Sequence, residues 1–201
     1  MTTINKHLLP LALESFLGTI RSGWDAPPPD IPNHGIQVAR FSGTASNPAV
    51  VSTVGLGDID LASRQSGRQI NLEILMPEGS SFNILAAMLF DISSQIIEKK
   101  EAILRGDYLK LKTLGYFGDW FGLYFTNPIF IDGETEINCD SKKIVLAWAI
   151  PIKQPEARFI DAKGWEAWEE LLEENFGTLA DLDRSAFVVD KFGGGAVSAK
   201  T

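Results

Sequence analysis

The sequence predicts an α/β (α+β) fold: a single domain built on a mixed β-sheet with helices packed on it. Three observations carry that prediction. Two apolar runs, 49–55 and 69–76, follow one another across the polar connection Asp60 to Arg68 and read as strands of one buried sheet. A later run, Ile144 to Ile152, is apolar on both faces, as a central strand covered by helices must be. Between them Phe82, Leu85, Leu89, Ile92 and Ile96 recur at spacings of three and four, an apolar helix stripe over four turns. With 201 residues, 45% hydrophobic and 10% aromatic, the chain can fill a core without a disulfide or metal.

The N-terminal part, residues 3–20, reads as a helix. Thr3 is a candidate cap, and Leu8, Leu11, Ala12, Phe16 and Ile20 fall near one face. Pro10 marks either a helix start or a kink. Gly23 to Pro32 holds four prolines and is expected to be a stiff surface connector rather than a ligand for a proline-recognition module. Residues 35–41 alternate as a half-buried strand, with Ile36, Val38 and Phe41 expected inward and Gln37 and Arg40 outward. A turn at 42–48 leads to the strand 49–55, which ends in Gly55-Leu56-Gly57-Asp58. In 69–76, Ile70, Leu72, Ile74 and Met76 share one face; Gln69, Asn71, Glu73 and Leu75 share the other.

Ser80-Ser81 is a good helix start for 82–98, and Lys99 and Lys100 suit its C-terminal dipole. Gly106-Asp107 breaks the chain, and 112–118 is a turn region. Asp119 to Phe125 and Asn127 to Ile131 read as extended. Asp132-Gly133 before Glu134 to Asn138 predicts a hairpin. The central strand 144–152 is expected to end at Pro151, followed by a short helix at 154–159. Residues 164–175 are helical, with Trp165, Trp168, Leu171 and Leu172 inward and Phe176 just beyond. Residues 179–190 are mixed, and Gly193-Gly194-Gly195 lies in a flexible tail. The organisation expected is 1–34 N-terminal helix and connector, 35–190 the main domain, and 191–201 tail.

A net charge of −8 and a pI near 4.8 argue against nucleic acid and anionic membrane as partners. Leu8 to Leu13 is too short and too interrupted for a signal peptide or membrane span. One cysteine, Cys139, permits no internal disulfide, which fits the cytoplasm. Cys139 has no basic neighbour before Lys142 to activate it and is expected to be a buried structural thiol; His34, beside the connector, is expected to be exposed. Two histidines and one cysteine supply no zinc pattern, and Asp58 with Asp60, or Asp132 with Glu134 and Glu136, read as solvated turns. Gly55-x-Gly57 lacks the third glycine and the helix of a phosphate loop, and no Gly-x-Ser-x-Gly elbow occurs. The expectation is therefore no catalytic residue, no cofactor and no metal site. From Pro155 to Asp190 ten acids face three bases, a segment charge of −7. The residues alone leave two readings open: the solvated face of an amphipathic helix, or a docking surface for a basic protein centred on Glu166, Glu169, Glu170, Glu173 and Glu174.

A set of landmarks follows in order: Gly55-Leu56-Gly57-Asp58, then Leu72-Glu73-Ile74 with Pro77, the helix 82–98, and Gly106-Asp107. They continue with Ile150-Pro151-Ile152 and Glu156, Gly164 leading Trp165 to Leu172, and Arg184. In these residues and their order the chain resembles the bacterial form of the suppressor-of-fused domain family. The resemblance covers roughly 35–185. Gly57 stands where Ser or Thr is usual in the family, and Asn71 where it often has Arg, so no particular polar contact of the family at the second strand is carried over to this chain. The resemblance implies a non-enzymatic domain that works by binding protein. Bacterial members are similar to immunity proteins of polymorphic toxin systems, and the animal domain sequesters a transcription factor. The expected partner is thus a protein, of the kind of a basic toxin domain. A small hydrolase with a carboxylate site, or a structural interaction subunit, are the competing readings.

Overall fold

A computed structural model describes residues 8–188 of the chain apart from 65, 80–81, 114–116, 134 and 140–141. The strands are β1 Ile20–Trp24, β2 Gln37–Phe41, β3 Val50–Val54, β4 Leu61–Ala62, β5 Gln69–Pro77, β6 Tyr108–Lys110, β7 Trp120–Thr126, β8 Glu136–Cys139 and β9 Lys142–Lys153. Among the described residues they form one mixed sheet in the order β1-β2-β3-β5-β9-β7-β6, with β4 paired to β5 and β8 to β9. The β5–β9 pair, Asn71↔Ile144 to Leu75↔Trp148, is parallel. The remaining pairs are antiparallel.

Both faces of the sheet are covered, so its central strands are largely apolar on both faces, with Ser52, Thr53 and Glu73 as buried polar exceptions. Helix α2, Phe82–Lys99, packs on one face against Val38, Val51, Leu72, Ile74, Met76, Leu123 and Phe125. Helices α1 Leu8–Leu17, α3 Gln154–Lys163 and α4 Trp165–Glu174 cover the other, over Phe41, Val50, Leu75, Tyr124, Trp148 and Ile150. Every residue of α2 from Leu85 to Ile96 is buried, far beyond the expected stripe. Asp91 explains part of this: its carboxylate accepts from Gln95 Nε2 and from the backbone N–H groups of Lys112 and Thr113, tying the 112–113 turn over the helix.

Several expectations are corrected. Leu9, Leu13 and Leu17 form the buried face of α1, whereas Leu11 is exposed, because the i, i+4, i+8 row points at the sheet. Pro10 sits in the first turn, where its missing N–H breaks no helical bond; Thr3 lies outside the described residues. Gly23 and Trp24 belong to β1, which pairs with β2, so the connector starts later. Phe41 faces the side opposite to Val38. The hairpin is formed by β8 and β9, closing between Cys139 and Lys142, while 127–131 is a turn with Ile131 N–H bonded to the Pro128 carbonyl. Strand β9 runs through Pro151 to Lys153. The Pro151 carbonyl accepts from Arg184 Nη2 at 2.7 Å, so this peptide edge points away from β7 and no ladder N–H is missed. Helix α3 extends to Lys163 rather than ending at 159. Trp165 is partly exposed instead of inward. Residues 189–201, with the expected tail, lie outside the described residues.

Candidate functional site

The predicted acidic cluster sits on α4. Trp168 and Leu172 are its buried row, with Trp168 edge-on to Tyr124. The 3.6-residue period therefore turns Glu166, Glu170, Glu173 and Glu174 outward, and all four are exposed. None makes an ion pair with a described residue.

Glu169 is different. Its carboxylate is half-buried and accepts from Arg105 in a bidentate pair, from Tyr124 Oη at 2.9 Å and from Thr126 Oγ1 at 2.6 Å. Burial alone would raise its pKa, but hydrogen bonds from Arg105, Thr126 and Tyr124 outweigh it and hold the carboxyl below its usual range. Burial, then the adjacent Glu169 charge, pushes the Tyr124 phenol up, so it stays a donor. Glu169 thus fastens α4 to β7 and to the segment before β6. Its partners lie 43 to 64 residues away in the chain, and no local pattern announces them.

Beside α4 lies a groove of about 240 Å³. Trp148, Leu172 and Leu179 form its buried floor, Ile129 and Phe176 its exposed lips, and Arg105 and Glu173 part of its rim. The groove had no signature in the sequence, because it combines a turn, a strand and a helix end that only the fold brings together.

Besides Asp91, two more carboxylates are buried among the described residues, Glu73 and Glu156. Glu156 accepts from Lys153 N–H at 2.7 Å, capping α3, and from Phe187 N–H at 3.0 Å. It also pairs with Arg184, Nη1 to Oε1 at 2.6 Å. The Arg184 guanidinium stacks over Phe187 and Trp120. Glu73 has no cation against it among the described residues. Its Oε1 accepts from Gly55 and Gly57 N–H, each at 2.9 Å, and its Oε2 from the Thr53 hydroxyl. Burial, against these bonds, raises Glu73 to about 7. Asn71 Nδ2 donates to the Gly57 carbonyl at 2.8 Å. The Gly-Leu-Gly-Asp turn is thus moulded around Glu73, and Asn71 adds a side-chain bond to it.

Among the described residues no three His, Cys, Asp or Glu side chains converge as a metal site requires. Asp58 is exposed and 3.6 Å from Lys142; Glu134 lies outside the described residues. Cys139 is half-buried on β8, not fully buried as expected, and exposed His34 meets Ser94 Oγ at 3.1 Å. Among the described residues no helix is long and apolar enough to cross a membrane.

Fold and site define an α+β domain whose single mixed sheet is covered on both faces, with an acidic helix and a groove at one end. A sequence model of the suppressor of fused protein family matches residues 32–185, and the chain belongs to this family. A suppressor-of-fused homologue of Neisseria gonorrhoeae superposes with a TM-score of 0.64 at 17% identity, covering 92% of this chain and 97% of that one. Drosophila Suppressor of Fused gives 0.52 at 12% identity over 76% of this chain and 42% of that one. Sufu in its complex with Fu gives 0.54 at 12% identity, over 76% of each chain. No curated protein sequence matches the chain.

Proposed function

We propose that this chain is a protein-binding member of its family that neutralises a cognate toxin domain as an immunity protein, by stoichiometric binding. The observation that carries the reading is the set of exposed carboxylates on α4, Glu166, Glu170, Glu173 and Glu174, which make no ion pair with a described residue, on a domain whose family includes Sufu seen in complex with Fu. A single-signed surface of this kind steers a basic partner and rejects acidic ones. Glu169 belongs to the same helix but acts from below, holding α4 in place. On this reading the protein works in the cytoplasm, is not an enzyme and takes no cofactor.

The test is co-expression with the product of the adjacent gene, followed by affinity capture and a growth-protection assay. A one-to-one complex is expected. The combined variant Glu166→Gln, Glu170→Gln, Glu174→Gln should weaken it and flatten its salt dependence. Absence of a complex with any neighbouring gene product, or unchanged affinity and salt dependence in the variant, would overturn the proposal.

A further inference from the structure

Among the described residues four large apolar side chains are exposed: Leu11, Ile129, Trp165 and Phe176. Three of them gather at one place. Ile129 and Phe176, 63% and 43% exposed, are the lips of the groove beside α4. Trp165 lies under the guanidinium of Arg105, 5.0 Å from the ring centre, and Arg105 is itself on the groove rim. Single exposed apolar residues need no explanation, but a cluster around a preformed hollow with a charged rim marks an interaction site. The hollow, about 240 Å³ over Trp148, Leu172 and Leu179, has room for one large side chain.

The rim fixes the charge of the guest. Arg105 is already paired with Glu169, so these two cancel. Glu173 remains on the rim, and Glu166, Glu170 and Glu174 continue the negative surface along the same helix. We infer that the groove is an anchor site for a protein segment that inserts one aliphatic or aromatic side chain flanked by Lys or Arg. The inference rests on the protein-binding reading and sharpens it: the carboxylates steer the partner, and the groove supplies the desolvated contact on which affinity concentrates.

The probe is a dye-labelled peptide, Lys-Lys-Leu-Trp-Lys-Lys, titrated with the full chain by fluorescence anisotropy at low salt. Lys-Lys-Ser-Ser-Lys-Lys and Glu-Glu-Leu-Trp-Glu-Glu serve as controls. The first peptide should bind at least about tenfold more tightly than either control. Ile129→Ser and Phe176→Ser should each weaken it about tenfold, and Glu173→Lys several-fold, whereas Leu11→Ser on α1, which does not line the groove, should leave it unchanged. Both lip residues are exposed, and unchanged circular dichroism will show that these variants fold. Equal binding of the Leu-Trp and Ser-Ser peptides, or unaltered binding in both lip variants, overturns the inference. So does a concentration-dependent dimer of the full chain that Phe176→Ser abolishes, since a second copy would then fill the groove. The two proposals separate cleanly. Loss of the cognate partner in the glutamine variant but not in Phe176→Ser sinks the anchor and spares the docking surface. Groove-dependent peptide binding without any toxin partner does the reverse.

Discussion

Glu73 and Glu156 are both fully buried, and their neighbours give them opposite chemistry. Glu156 has a guanidinium against it and four backbone groups arranged around the pair. Removing the cation leaves a charge stranded in the core, so Arg184→Met should cost about 3–5 kcal/mol, measured by urea unfolding. The double variant Glu156→Gln, Arg184→Met should lose clearly less than the two single losses added together; strict additivity would show that the pair is not coupled. Glu73 has neutral donors only, and burial raises it from about 4.5 to about 7. Its folded-state pKa lies above the unfolded one, so its contribution to stability is complete below about pH 4.5 and is lost as pH rises through about 7. The loss is on the order of 3 kcal/mol. The geometry accommodates the neutral form: the Thr53 hydroxyl has the Ile74 carbonyl as an alternative acceptor at 3.4 Å. Glu73→Gln keeps acceptors for Gly55 and Gly57 and should therefore gain stability over the unmodified chain between pH 5 and 8. A stability difference that stays constant across that range would refute this. None of this was legible locally. The periodicity put Glu73 opposite Ile74, but only the fold shows that its partners are backbone N–H groups of an earlier turn.

At the scale of elements, length and period decided what could be read. Helix α2 and strands β3, β5 and β9 are long or strongly apolar, and their own side chains specify them. Strands β1 and β6 are short and half-exposed; they exist because β2 and β7 offer an edge to pair with, and their sequence carries no such signal. Asp132-Gly133 was a false hairpin signal, since 127–131 folds into a turn and leaves no strand before it. Gly106-Asp107 was a true break with a role beyond it. Gly106 has φ +92°, and a β-carbon there would lie 2.8 Å from Trp165 Cγ. The turn before β6 and the start of α4 are therefore in direct contact. Gly106→Ala should cost about 1–3 kcal/mol and change the Trp165 environment, seen as altered indole quenching by acrylamide. Gly133→Ala shares the left-handed backbone, φ +97°, but meets open space, and should cost about 1 kcal/mol with no change in Trp165. Equal costs for the two would mean that the close approach to Trp165 is unimportant.

For the whole molecule, the family match and the folded unit do not coincide. The match begins at residue 32, yet α1 and β1 precede it and are part of the same sheet and core. Leu9, Leu13 and Leu17 are buried in the cluster that holds Phe41, Val50 and Trp148, and α1 packs on β3 and β8. Reading 1–34 as a helix plus connector did not include β1 or the packing of α1 on one face of the sheet. Three buried leucines contribute about 1.5–3 kcal/mol each, an upper figure because unfolded chains already bury some apolar surface. That total is comparable to the roughly 5–15 kcal/mol by which a domain is stable at all. Removing β1 also strips the hydrogen-bonded neighbour from β2 and uncovers an edge able to pair with another chain. A fragment of residues 32–201 should therefore show no cooperative thermal transition and should aggregate. The full chain carrying Leu13→Ala should remain soluble but lose about 2–5 kcal/mol in urea unfolding. If the fragment melts cooperatively within a few degrees of the full chain, α1 and β1 are an appendage, and the matched segment alone determines the fold.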